Sequence, residues 1–138
     1  MFEKILLALD GSEHASKAIE ATKALAKLSA AQVRVVHVRE FGFAGRAGQV
    51  DLEDKADAQK IVDQAVSELT AASIEATGIV RGALHGHVAS EILDEEEESG
   101  ANVIVMGSRG SSDLRGLIVG STTHKVLHLG TSPVLVVR

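Results

Sequence analysis

Apolar positions along the chain fall into two patterns. Short, nearly continuous apolar runs occur at "KILLALD" (4–10), "QVRVVHVR" (32–39), "IEATGIVRG" (74–82), "ANVIVMG" (101–107) and "PVLVVR" (133–138). Such runs lack strict alternation, as strands covered on both faces do. Between them apolar residues recur at helical spacing. Ala15, Ala18, Ile19, Thr22, Leu25 and Ala26 share one helix face after "DGS", with Ser12 as the predicted N-cap. Ala58, Ile61, Val62, Ala65, Val66 and Leu69 share the inward face of a second helix over 51–72. "HVASEILDEEEES" predicts a third helix stopped by Gly100, and residues 120–129 a fourth. Pro133 precedes the last strand, where a missing N–H is tolerated.

Five strands alternating with four helices predict parallel βαβ units in a doubly wound α/β sheet. In the order 3-2-1-4-5, strands one and four flank the switch point, where ligands bind at the carboxyl ends of strands. Strand five is then an edge, and its apolar "PVLVV" invites pairing with a second copy. The 138 residues suit a single domain spanning 1–138.

Charge and composition narrow the function. A net charge of −5 without a basic stripe argues against a nucleic-acid or anionic-membrane surface. The chain has no cysteine, so disulfides, thiolate nucleophiles and cysteine-held metals are excluded. No apolar run approaches the ~20 residues of a membrane span. "MFEKILLALDGSE" does not read as a signal peptide, and a cytoplasmic location is expected.

The chemistry concentrates in "MGSRGSSDLRGLIVGSTTH", Met106 to His124. Gly107 and Gly110 follow a buried strand and permit positive φ or close backbone approach. Gly120 leads into Ser121, Thr122 and Thr123 at a helix start, where free N–H groups and the helix dipole favour phosphate. Arg109, Arg115 and Lys125 add positive charge nearby. From spacing alone, loop glycines with a capping serine explain the stretch equally well. Neither a Walker A motif nor a GxGxxG fingerprint is present.

Other polar residues have more than one reading. Asp10 ends strand one and serves either a bound ligand or the local turn. His37 reads as a core histidine with one hydrogen bond. His124 and His128 share a helix face, but no adjoining carboxylate makes a metal site of them. His85 and His87 read as a solvated loop. The run Asp94–Glu98 reads as a solvated helix face, unfavourably near a helix C-terminus. Gly42, Gly45 and Gly48 suggest a flexible loop or a mobile flap beside the ligand pocket. Ser121 lacks a His/Asp partner close in sequence, so efficient catalysis is not expected.

The spacing Gly107-x2-Gly110-x9-Gly120-Ser121 resembles the nucleotide-binding pattern of the universal stress protein family, G-x2-G-x9-G-(S/T). "KILLALDGSEHASKAIEAT", "VRVVHV", "VIVMGSRG" and "GTSPVLVVR" resemble further family segments in the same order. The resemblance implies a flavodoxin-like fold, often dimeric through the last strand, that binds ATP or AMP with Mg²⁺ or Mn²⁺ entering through the phosphates. By matching position, Ala8 and Asp10 would lie beside the adenosine, Val38 against adenine, and Met106 and Gly107 along the ribose. Ser108, Arg109, Gly110, Gly120, Ser121, Thr122 and Thr123 would surround the phosphates. Thr122-Thr123 stands where Val-Ser is commoner, and Asn102 where Asp is frequent. Glu96 stands at an apolar position, so either the third helix ends early or Glu96 reaches outward. The function implied is a nucleotide-dependent regulator or sensor in stress response. The alternatives are a ligand-independent dimeric scaffold and a slow hydrolase.

Overall fold

The computed structural model describes residues 1–12, 14–108 and 120–138. Among the described residues there are six strands: β1 (Lys4–Leu9), β2 (Gln32–Phe43), β3 (Gln49–Asp51), β4 (Ala76–Leu84), β5 (Val103–Gly107) and β6 (Val134–Val137). Four α-helices connect them: α1 (Ala15–Ser29), α2 (Lys55–Ala71), α3 (Val88–Ser99) and α4 (Ser121–Leu129). The parallel strands run in the order β4-β2-β1-β5-β6, the doubly wound order the sequence predicts.

Both faces of the sheet are covered, which explains the continuous apolar runs. Ile5, Leu7 and Leu9 of β1 pack with Ala18, Ile19 and Ala26 of α1 and with Val62, Ala65 and Leu69 of α2. Leu6 and Ala8, pointing the other way, pack with Ala89 and Ile92 of α3 and Val126 of α4. Each buried valine, leucine or isoleucine side chain contributes about 1.5–3 kcal/mol. One glycine is needed for this packing. A Cβ on Gly78 would stand 2.2 Å from Val62 Cγ1, so α2 lies against bare backbone there.

The structure corrects several expectations. The segment after residue 39 is a hairpin rather than a loop or flap: β2 runs on to Phe43 and β3 returns antiparallel to Phe41–Phe43. Its turn needs left-handed backbone at Gly45 and Gly48, with φ of 47° and 71°. Phe41 pairs with β4 along one edge and β3 along the other, so β3 lies beyond the carboxyl end of β1. The second helix begins at Lys55, where Asp54 caps it by accepting from the N–H groups of Ala56 and Asp57. Ser12 does not cap α1. The residue before α1 is His14, without a side-chain cap, and Ser12 instead donates its N–H to Asp10 Oδ1 at 2.9 Å.

Helix α3 neither ends early nor buries Glu96. It runs to Ser99, Gly100 closes it in left-handed geometry, and the inward carboxylate is Glu95. Nor is the acidic run merely solvated. Glu95 accepts from Arg34 Nε at 2.8 Å and from Arg81 Nη1 at 2.7 Å. Arg81 also binds Glu91 at 2.8 Å and Glu98 at 3.1 Å. Burial opposes the Arg81 charge, but the bonds to these carboxylates outweigh it and raise its pKa. The two arginines offset the repulsion among the acids.

Candidate functional site

The carboxyl ends of β1, β2 and β5 and the start of α4 enclose a cleft of about 390 Å³ at the switch point. Ala8, Val38 and Met106 form its apolar floor, all of them buried. Asp10 stands exposed at the end of β1. Gly107, Gly120, Ser121, Thr122 and Thr123 line the opposite wall. Ser108 is not among the lining residues of the cleft; its N–H donates to Val137 O at 2.8 Å. Arg109, Gly110 and Arg115 lie outside the described residues.

Two hydrogen bonds fasten that wall. The Gly120 N–H donates to Ser108 O at 2.6 Å, and the Thr123 hydroxyl donates to Gly107 O at 2.8 Å. The end of β5 and the start of α4 are thereby held together. Gly107 itself is not among the residues with positive φ, so left-handed backbone is not its use here. Gly120 caps α4 with φ −57°, and no side chain caps this start among the described residues. The first turn of α4 therefore presents N–H groups and the positive end of its dipole to the cleft. The Lys125 ammonium turns away and donates to Gly86 O at 3.1 Å.

Carboxylates occupy the other end of the cleft. Besides Asp10 these are Glu40 and Glu53. Glu40 Oε2 bonds His85 Nδ1 at 2.6 Å and the Gly86 N–H at 3.3 Å, tying down the turn before α3. His37 is buried and uses both ring nitrogens rather than one. Nδ1 lies 2.7 Å from Leu9 O, and Nε2 lies 2.7 and 3.0 Å from the two oxygens of Glu53. Two positions along β2, Arg39 donates to Asp51 at 2.8 Å. That hydrogen bond holds the Asp51 carboxyl below the ordinary carboxylate range, against the opposing effect of desolvation. His37 and Arg39 together pin the hairpin and the residues after it over the end of β1.

With this geometry in place, relatives can be compared. The profile of the universal stress protein family matches residues 1–138. The chain belongs to that family. A universal stress protein of Bacillus subtilis is 34% identical over 151 residues, covering 100% of both chains. One from Thermus aquaticus is 36% identical over 141 residues, again covering 100% of each. A universal stress protein of Methanocaldococcus jannaschii is 31% identical across 100% of this chain and 96% of its own. The solved structure of that protein superposes with a TM-score of 0.81, over 99% of this chain and 96% of that one, at 26% identity. An Archaeoglobus fulgidus universal stress protein, solved in complex with dAMP, superposes with a TM-score of 0.75 at 24% identity, covering 100% of each chain.

In this universal stress protein the sequence pattern does not point to Leu9, Val36, His37, Glu40, Glu53, Val88 and Ile92 as cleft residues. Glu53 follows His37 by 16 residues, and no motif joins them. They meet only because the hairpin folds back over β1. A second cleft, of about 340 Å³, lies beside Lys4, Arg34, Thr77 and Glu95. Arg34 and Glu95 on its wall are already paired with each other, so it offers a ligand fewer open partners. His124 and His128 are stacked, exposed rings 6.2 Å apart on α4.

Proposed function

We propose that the chain is an adenine-nucleotide-binding universal stress protein that holds ATP or AMP in the switch-point cleft. The uncapped start of α4 at Gly120, fastened to the end of β5, carries this reading. A phosphate there satisfies N–H groups that nothing else in the described residues caps. The opposite end suits a nucleoside. Its apolar floor at Ala8, Val38 and Met106 accepts a base, and Asp10 accepts from ribose hydroxyls. Ser121 and Thr122 add hydroxyls at the phosphate end, and Arg109 and Gly110 complete the glycine pattern in sequence. The dAMP complex of the Archaeoglobus fulgidus protein is one instance of the same fold holding an adenine nucleotide.

No three His, Asp or Glu side chains converge to hold a metal ion among the described residues. The proposal therefore places Mg²⁺ or Mn²⁺ on the phosphate oxygens. Binding, rather than rapid turnover, is the chemistry proposed, with the nucleotide switching a regulator or sensor in the cytoplasmic stress response. We also propose a homodimer built on β6, the edge of the sheet that exposes Leu135. A dimeric scaffold that needs no ligand rests on this same edge. Mass spectrometry of small molecules released on denaturing the purified protein separates the two. Adenine nucleotide in near-equimolar amount, or taken up on incubation, supports the first; neither leaves the scaffold.

A further inference from the structure

We infer that Glu40 selects the base of the bound nucleotide. One oxygen of its carboxylate accepts a hydrogen bond from an exocyclic amino group, so the cleft takes adenine over purines that carry a carbonyl in its place. The inference rests on the nucleotide reading above and names the residue behind the base preference.

The two ends of the cleft differ chemically. The α4 end offers donors: the N–H groups after Gly120 and the hydroxyls of Ser121 and Thr122. The far end offers acceptors: the carboxylates of Asp10, Glu40 and Glu53. Among the described residues lining that end, His37 alone carries a side-chain donor. Both its ring nitrogens are engaged, one with Leu9 O and the other with Glu53. A base carbonyl therefore meets no open side-chain donor among these residues, and its lone pairs face carboxylates. A base amino group meets the partner it needs.

Position picks out Glu40. Side chains alternate along a strand, so Val36, Val38 and Glu40 of β2 share one face, and all three line the cleft. Glu40 follows Val38 by about 7 Å along that row, a span that a purine resting on Val38 and one hydrogen bond cover together. Asp10 stands instead at the end of β1, where it accepts from the Ser12 N–H.

The number of open oxygens decides which purine fits. Glu53 directs both of its oxygens at His37 Nε2, at 2.7 and 3.0 Å. Glu40 Oε2 accepts from His85 Nδ1 at 2.6 Å and from the Gly86 N–H at 3.3 Å. Lys125 holds the same Gly86 by its carbonyl, so the turn that fixes this carboxylate is itself fixed from α4. Glu40 Oε1 has no hydrogen-bond partner among the described residues, and the side chain is 34% exposed, within reach of a ligand. One open acceptor matches the single amino group on the pairing edge of adenine. Guanine presents two neighbouring donors beside a carbonyl, an edge that suits a carboxylate with both oxygens open.

The test is calorimetric titration of the nucleotide-free protein with AMP, IMP, GMP and purine riboside monophosphate, which carries only hydrogen where adenine carries its amino group. Wild type should bind AMP roughly tenfold to a hundredfold more tightly than each of the others, as expected for one hydrogen bond to a charged acceptor. AMP bound no more tightly than purine riboside monophosphate, or GMP bound as tightly as AMP, overturns this inference alone. Binding of none of these nucleotides removes the nucleotide reading, and this inference with it. Glu40→Gln assigns the preference to its residue. The glutamine carbonyl keeps the bonds from His85 and Gly86 and sets an amide donor where Oε1 stood. That donor opposes the adenine amino group and suits the carbonyl of IMP, so the ratio of AMP to IMP affinity should fall at least roughly tenfold. Glu40→Ala, which keeps neither oxygen, should bind AMP and purine riboside monophosphate alike. A variant that melts cooperatively and retains the wild-type preference contradicts the role of Glu40.

Discussion

The hydroxyl of Thr123, buried in the first turn of α4, donates to the carbonyl of Gly107 at the end of β5, at 2.8 Å. Sixteen residues separate the two in sequence. This bond and the one from Gly120 to Ser108 make strand end and helix start a single wall. Thr123→Val keeps the shape but leaves the carbonyl without this donor. The loss should be about 1–2 kcal/mol of stability, read as a lower urea midpoint at unchanged slope. Thr123→Ser, which keeps the hydroxyl, should recover most of it. Equal midpoints for the valine and serine variants would show that the bond contributes nothing.

Glu95 stands between two arginines from different strands, with its side chain almost fully buried. Glu95→Ala strands Arg34 and leaves Arg81 with its outer partners Glu91 and Glu98. The expected cost is about 3–5 kcal/mol, the range for breaking a buried ion pair from one side. Glu98→Ala, at the exposed end of the same network, should cost under about 1 kcal/mol. Thermal unfolding of both variants checks the ordering. A Glu98 variant as damaged as the Glu95 variant would contradict it.

The proposed homodimer predicts that a charge on the last strand is self-repelling. In a dimer paired through β6, Val136→Asp places a charge on the contacting strand of each copy, where burial and repulsion between the copies both oppose pairing. The dissociation constant should rise at least roughly tenfold, and nucleotide binding by the separated chains should persist. Light scattering across a dilution series measures this. A wild-type protein that stays at the mass of one chain, 14.4 kDa, at every concentration removes the dimer.

The sheet was legible because its strands are buried on both sides and because α1 and α2 carry clean stripes. Ala18, Ile19, Thr22 and Ala26, and Ala58, Val62, Ala65 and Leu69, are buried as their spacing predicts. The hairpin was not legible, since "EFGFAGRAG" reads as loop by its glycines. Its strand character comes from pairing with β3 and β4 and from the edge-on packing of Phe41 on Phe43. Glu95 was misassigned because the inward stripe of α3 advances Ala89, Ile92, Glu95 in steps of three, whereas a step of four from Ile92 points to Glu96. The arginines that make a buried Glu95 tolerable lie on β2 and β4, beyond local pattern. At the site, the glycine spacing pointed to the wall formed by β5 and α4. The carboxylate end was only partly visible, because Glu40 and Glu53 reach it through tertiary folding alone.

Central to the proposed function is a phosphate at the start of α4. Gly120 has ordinary backbone angles, φ −57° and ψ 155°, which a side chain adopts without strain. Gly120→Val therefore tests access to the helix start rather than backbone conformation. The direct measurement is calorimetric titration of nucleotide-free wild type and Gly120→Val with ATP in the presence of Mg²⁺, beside a melting curve for each. Saturable binding by the wild type, with one nucleotide per chain, and its loss in a variant that still melts cooperatively is the predicted result. Undiminished ATP affinity in Gly120→Val, or a wild type that binds no adenine nucleotide, would contradict the claim.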